Sequence, residues 1–502
     1  MYKIQLAYKM KLRDIDKKTY KTLRYITKLS KNLYNEAVYL ERSAYQELVK
    51  LNKDRKKSLT NRNMVQILSD IVLPNVSPGK LTDIQRIHRA WKHKLSNFPA
   101  DKIDEPFSSF VNYNTLDKVV LSPNYFLLHS ASSQTILQQV EKNYLSYFRA
   151  NVIKSKNPPG YLPKDGHFHL TFKSISKRNT QMGIFKVPFS RDFTKLTSLK
   201  RGLSTDIQIK LPDKFKDTDK YQINQIKLIP KSNARYFELC IIYTTSCEKI
   251  KDLDKNQYLG IDLGLNNLMS CISTIGSPFI ISGRKLKSYN QWYNKEIARL
   301  KSISDLNPKS PKITNKMDNI IQKRNNRVED YIRKSTRMVI NYCIENKIGN
   351  IVVGYNKDFK RNINIGKRNN QSFVQIPLFK IRQKLKYLCE YYGINYKEQE
   401  ESYTSKSSFL SQYPIPEYKD IPKKGTIEYI IYNSATNKDN QTQFSGKRII
   451  RGLYKDYNQE LTLNADINGA ANILRKSTNN NKEVYNKVRK TVLEYPKVLK
   501  VA

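Results

Sequence analysis

Hydrophobic and polar residues alternate through MYKIQLAYKMKL, which predicts a strand over residues 1–12. The period then lengthens. Leu23, Ile26, Leu29, Leu33, Ala37 and Leu40 recur at helical spacing, so a helix is expected over 16–58. A Pro/Gly-bearing interruption at 74–80 is followed by renewed helical character at 81–98. It returns again at 131–150, where Ile136, Val140 and Tyr144 step by four. Beyond NPPGYLP at 157–163 the two-residue period resumes in GHFHLTF, GIFKVPF, IQIKLP and YFELCIIYTT. Short alternating strands between turn residues predict a small β-barrel or sandwich. The N-terminal strand would complete it, with the helical region as an insertion.

After SCEKIKDLDKNQ the pattern changes again. YLGIDLG at 258–264 reads as a strand ending in a tight turn, and a long basic helical pair is expected over roughly 289–345. NIVVGY at 350–355 reads as a buried strand, 377–393 as an amphipathic helix, INYKEQE at 394–400 as another strand, and LNADINGAANILRK at 463–476 as the opening of a helix. Strands alternating with helices imply an α/β domain with a partly parallel sheet. Strands 350–355 and 394–400, joined by a crossover helix, are expected to be parallel neighbours about 4.8 Å apart.

Charge narrows the choice of partner. The 502 residues carry 90 Lys and Arg against 44 Asp and Glu, a formal net charge of +46. Such an excess favours a polyanion, because neutralising phosphates releases condensed counterions. Binding to an anionic membrane usually uses one basic cluster or amphipathic helix, whereas here the basic residues run through the whole chain. With no signal-peptide pattern and no apolar run of spanning length, a soluble intracellular protein is expected. Cys240, Cys247, Cys271, Cys343 and Cys389 are scattered without a C-x-x-C, which argues against structural zinc and a disulfide scaffold.

Two segments carry candidate chemistry. Asp262 in GIDLG sits at a strand end beside Gly264, and Asp466 in NADINGAAN lies where small residues let a helix pack closely on a sheet. A carboxylate facing such a contact is costly to bury unless it binds a cation. The bland alternatives are a turn aspartate at 262 and helix capping by Asp466 or Asn464. Phosphodiester hydrolysis by two divalent ions about 4 Å apart needs several hard oxygen ligands brought together.

Taken with KRNNRVEDYIRKSTRMVINYC, IVVGYNKDFKRNINIGKRNNQSFVQIP, EESYTSKSSF and GKRIIRGLY, these motifs resemble the RuvC domain of the TnpB transposon-associated nucleases. The chain is similar also to the Fanzor proteins and to compact type V CRISPR effectors. The resemblance covers 256–476 in detail and implies a multidomain α+β chain. A β-barrel wedge domain would comprise 1–12 and 151–250, with a basic helical recognition domain at 13–150 inserted in it. An RNase H-like (RuvC) nuclease domain would follow at 256–502, with inserted helices at 289–345 and a target-nucleic-acid-binding loop at 402–460.

Two departures matter. The family's commonest second acid follows the IVV strand, where this chain has Gly354. A branch of TnpB and the Fanzor proteins carries that glutamate before the T-S motif instead. The resemblance thus implies Asp262, Glu401 and Asp466 as catalytic, metal-holding residues, with Glu400 as fallback and Asp358 as a minor alternative. The other departure is the zinc finger of many relatives: Ser407 and Ser408 follow Lys406, and 409–445 contain no cysteine, so no zinc is expected.

The implied activity is RNA-guided DNA endonuclease, Mg²⁺-dependent with two ions (Mn²⁺ as substitute), cutting beside a short protein-read motif. Its partners would be a guide RNA derived from a transposon end and double-stranded target DNA, with no membrane and a monomeric state favoured. The compartment would be cytoplasm or nucleoid in a bacterium and nucleus in a eukaryote. Lys323, Arg324, Arg327, Arg333 and Arg337, with Lys406, Lys447, Arg448 and Arg451 near the proposed site, are the expected nucleic-acid contacts; a solvated helix face is the plainer reading of the first five. Two rival functions fit less of the sequence: a nuclease-inactive RNA-guided DNA-binding repressor, for which Gly354 speaks, and an unguided RuvC-like structure-specific nuclease.

Overall fold

The computed structural model describes residues 3–53, 113–120, 122–151, 157–173, 175–199, 202–307, 311, 313–356, 375–412, 415, 444–450 and 452–501. It divides into two compact units, 1–246 and 247–502.

In the first unit the alternating N-terminus forms β1 (Lys3–Lys11). Asp16 then accepts the backbone N–H groups of Lys18 and Thr19 and so opens a helix, satisfying donors that a helix start leaves free. That helix, α1 (Lys17–Lys53), buries Leu23, Ile26, Leu33 and Ala37. Two short helices, α2 (Tyr113–Val119) and α3 (Pro123–Leu127), precede α4 (Ser130–Asn151). Ile136, Val140 and Tyr144 of α4 join the same core as the α1 residues. The helix expected at 81–98 lies outside the described residues.

Five strands follow: β2 (Leu170–Phe172), β3 (Ile184–Lys186), β4 (Gln208–Lys210), β5 (Tyr221–Lys231) and β6 (Tyr236–Ser246). β1 pairs antiparallel with β6, from Lys3 opposite Ser246 to Lys11 opposite Glu238. The expected closed barrel is not what forms among the described residues. The sheet is open, in the order β1-β6-β5-β2, and β3 pairs only with β4 as a separate ribbon. The reason lies between the strands. Ser176 and Ser190 accept backbone N–H groups and start the helices α5 (Lys177–Gln181) and α6 (Arg191–Leu199), so the chain leaves the sheet after each short strand.

The second unit is built on one mixed sheet. Its strands are β7 (Asp254–Leu263), β8 (Asn267–Ser273), β9 (Phe279–Ser282), β10 (Ile348–Tyr355), β11 (Asn395–Glu400) and β15 (Lys497–Leu499), in the order β11-β10-β7-β8-β9-β15. β10 runs parallel to both β7 and β11. β8 and β9 were not legible as strands, because NLMSCIS is buried nearly throughout and shows no alternation.

The two faces of this sheet are covered by different helices. Leu259, Ile261, Ile351 and Val353 share a core with Ile332 and Val339 of α8 (Asn315–Glu345) and Ile381 and Leu385 of α9 (Leu378–Tyr392). The preceding helix, α7 (Arg284–Asp305), packs on α8. On the opposite face, Ile272 and Val352 share a core with Ala470 and Ile473 of α10 (Ala465–Ser477) and Val488 of α11 (Lys482–Val492). A small antiparallel sheet, β12 (Gly446–Ile450), β13 (Leu453–Asp456) and β14 (Leu461–Asn464), leads into α10. No helix among the described residues is long and apolar enough to cross a membrane.

One buried group works against the first unit. Glu41 of α1 is fully buried, and neither carboxylate oxygen has a hydrogen-bond partner among the described residues. Burial, reinforced by nearby Glu141, pushes its carboxyl up to about 9. The folded form therefore holds a proton that the unfolded chain releases above its ordinary value of about 4.3. Stability is full below that pH and is lost as pH rises toward the folded value. Between the two, the unfolding free energy should fall by about 1.4 kcal/mol per pH unit from this group. In Glu41→Gln that slope should vanish from pH-dependent urea melts, with a higher midpoint at neutral pH.

Candidate active site

Side chains alternate across β7, so Leu259 and Ile261 face α8 and α9 while Gly260 and Asp262 face α10. Tight packing sets the spacing on that side. A Cβ at Gly260 would lie 2.5 Å from Leu474 Cγ, and one at Gly469 would lie 2.7 Å from Asp262 Oδ2. Helix α10 therefore crosses β7 at glycine distance and rests on Asp262. Leu263 then gives way to the turn at Gly264, whose N–H donates to Leu268 O and returns the chain as β8.

Asp466 is the second residue of α10. Its neighbour Asn464 is the helix cap, accepting the N–H groups of Asp466 and Ile467. Of the two capping alternatives it is Asn464 that caps the helix, and the Asp466 carboxylate is engaged elsewhere. Arg448 Nη2 donates to Asp466 Oδ1 at 2.8 Å, and Asn267 Nδ2 donates to Oδ2 at 2.6 Å.

The two adjacent glutamates have different surroundings. Tyr355 pairs with Glu400 at the ends of β10 and β11, and the Glu401 N–H donates to Tyr355 O at 3.1 Å. Glu400 lies against Lys476 Nζ at 2.5 Å and accepts the Ser402 N–H; burial opposes its ionisation, but these bonds hold its carboxyl below the usual range. Glu401 points back across β10. A Cβ at Gly354 would meet Glu401 Oε2 at 2.8 Å and Ile473 Cδ1 at 2.5 Å. The glycine thus vacates the space that Glu401 fills.

Glu401 and Asp466 both lie close enough to Asp262 for their charges to act on it. Burial, then the charges of Glu401 and Asp466, push the Asp262 carboxyl well above the carboxylate range, with Arg448 partly offsetting. Burial and the Glu400 charge push Glu401 up, against Arg382. A cation beside groups so buried would favour their charged forms. Arg448 is the cation that faces both Asp262 and Asp466. As the side chains stand, no three acidic, His or Cys groups among the described residues form a ready ligand shell; the Asp466 oxygens are turned to Arg448 and Asn267.

The segment after Glu401 is anchored to α10. Asn472 Nδ2 donates to the carbonyls of Thr404 and Ser407, Asn468 takes Ser407 O and Phe409 N, and Arg475 Nη1 donates to Ser408 O. Asp456 is fully buried and collects the hydroxyls of Ser408 and Ser411 with the N–H groups of Asn458 and Gln459. Sequence reasoning passed over Asn468, Asn472 and Asp456. Two asparagines four apart on a buried helix face were a signal, since buried amides require fixed partners. Arg451 and Asp358 lie outside the described residues.

The basic residues divide by what they touch. Arg324 is turned inward, its Nε on Asn290 Oδ1 and its Nη2 on Gln375 O, both at 2.8 Å. Arg333 pairs with Asp330 at 2.9 Å, and Arg337 bonds Tyr392 Oη. Lys406 and Lys447 lie over the rings of Tyr403 and Tyr457. Lys323 and Arg327 are exposed. Arg324, Arg333, Arg337 and Arg448 thus already have partners on the protein.

Gly354→Ala should disturb Glu401 and cost about 1–3 kcal/mol through overpacking, and Gly469→Ala should do the same at Asp262. Thermal melts of both variants against Gly160→Ala, at an open position without a left-handed backbone, check this.

Residues 241–360 match the family model OrfB_IS605, described as probable transposase. No curated protein sequence matches the chain. Among solved structures, the Cas12f1 protein of a Cas12f1-sgRNA-target DNA complex aligns at 14% identity over 90% of this chain and 81% of its own, with a TM-score of 0.43. The protein of a CRISPR-Cas12f ternary complex aligns at 16% identity over 92% and 85%, with a TM-score of 0.31. At these scores neither likeness assigns a residue its role. The family match falls on β6 through β10, the strands that carry Asp262 and Gly354, and by it the chain is similar to the OrfB/IS605 transposases of the TnpB family.

Proposed function

We propose that this chain is an RNA-guided DNA endonuclease of the TnpB kind, whose single RuvC-like site is Asp262, Glu401 and Asp466. What supports the reading is that the charges of Glu401, from a turn, and Asp466, from a helix start, both act on the buried Asp262 at a strand end. The net charge of +46 supports nucleic acid as the partner.

The donor set fits a hard divalent cation: oxygen ligands only, two of them held above their ordinary range by burial first and by neighbouring carboxylates second. Bound there, two Mg²⁺ ions would activate water and stabilise the leaving oxygen. The chain's own part is positioning. Gly469 and Gly354 hold Asp262 and Glu401 on the α10 side of the sheet, Asn267 orients Asp466, and the Asn468–Asn472 anchor fixes the turn that bears Glu401. Glu400 stays with Lys476 and serves that turn. Guide and target strands would bind the basic surfaces, the guide reading the sequence by pairing and the protein reading an adjacent motif. Residues 1–12 with 151–250 would form the wedge, 13–150 the recognition region and 256–502 the nuclease.

A nuclease-inactive, RNA-guided DNA-binding repressor is the second reading. The Arg448–Asp466 ion pair favours it, since a guanidinium already neutralises one acid.

Plasmid nicking decides between them. The purified chain with its RNA should nick in Mg²⁺, and Asp262→Ala and Glu401→Gln should each lose the activity while retaining RNA and DNA binding. Glu400→Gln should keep most of it. Mg²⁺-dependent cutting that persists in Asp262→Ala sinks the assignment, and wild-type binding without nicking establishes the repressor. A readout independent of turnover is thermal: Mg²⁺ should raise the melting temperature of wild type. Asp262→Asn should melt higher than wild type without Mg²⁺ and gain little from it.

A further inference from the structure

Trp292 of α7 is one of two tryptophans in the chain, and it is 38% exposed. Lys323 Nζ and Arg327 Cζ of α8 each lie 5.9 Å from its ring centroid, and Arg327 lies 5.1 Å from that of Tyr289. Neither cation has a carboxylate partner among the described residues, whereas neighbouring acids are taken: Glu296 by Arg299, Glu329 by Lys380 and Lys384, and Asp330 by Arg333 and Lys334. Arg324, between these two cations in sequence, supplies the hydrogen bond from α8 to Asn290 of α7 and a second to Gln375 O. Lys323 and Arg327 reach across the pair to aromatic rings and not to an acid. A large ring left partly open between two unneutralised cations offers a π-face to a base and charge to the phosphates beside it.

We propose that Trp292, flanked by Lys323 and Arg327, is a stacking platform for an unpaired base of a single-stranded nucleic acid. Duplex does not suit it, since paired bases keep their faces in the stack. The inference rests on the reading that this chain binds nucleic acid, and it adds a base-stacking residue to the basic contacts that reading named.

The test uses the full-length chain, washed free of bound nucleic acid at high salt. In Trp91→Phe, Trp292 is the only tryptophan. Oligothymidylate should quench its emission, while an abasic oligonucleotide of equal length should bind without quenching. Independently, with Trp91 intact and binding followed by anisotropy of labelled strands, Trp292→Ala should weaken oligothymidylate binding about tenfold. Its affinity for the abasic strand should be unchanged, and Trp292→Phe should retain most of the oligothymidylate affinity. Binding without quenching, or equal losses for both strands, overturns the platform and leaves the nucleic-acid reading intact. If neither strand binds wild type, the nucleic-acid reading fails and takes the platform with it.

Discussion

Helix α10 lies against its sheet at a distance that only glycine permits, at Gly260 on the strand and at Gly469 on the helix, and much of the second unit follows from that closeness. It brings the positive end of the helix over the end of β7, where backbone N–H groups favour negative charge. It shields Asp262 from water and so raises its carboxyl. It also brings Asn468, Asn472 and Arg475 within reach of the 404–409 backbone, so that the turn bearing Glu401 is fixed by the same helix that presents Asp466. One close contact thus coordinates three segments far apart in sequence.

Much of this was legible in advance. The helical period of α1 and α4, the strand pairing partner for residues 350–355, and the apolar run ending in Asp262 all expressed themselves locally. What escaped depended on tertiary context. β8 is buried on both faces and loses its alternation, the short helices between β2 and β5 open the expected barrel, and the different surroundings of Glu400 and Glu401 come from a neighbour 76 residues away in one case and from across a strand in the other. Lys476 takes the first glutamate, and the gap at Gly354 receives the second. Sequence spacing could name both but not distinguish their surroundings.

The large positive charge is not spent uniformly. Arg324, Arg448 and Arg475 are hydrogen-bonded within the fold, with Arg475 so buried that its guanidinium is pushed down to about 10. Guanidinium groups suit such work because their planar donors match several acceptors at once. A count of basic residues therefore overstates the surface available to a polyanion, and the exposed cations without acidic neighbours are the more informative set.

Gly354 also limits what the sheet can carry. Glu401, from the turn after β11, fills the volume that a side chain at 354 would occupy. A side chain at 354 would collide with Glu401 and with Ile473, so an acid on β10 at this position and Glu401 in its present place exclude each other. Any change at 354 is therefore coupled to residue 401 and to the packing of α10, and single substitutions there cannot be read one residue at a time.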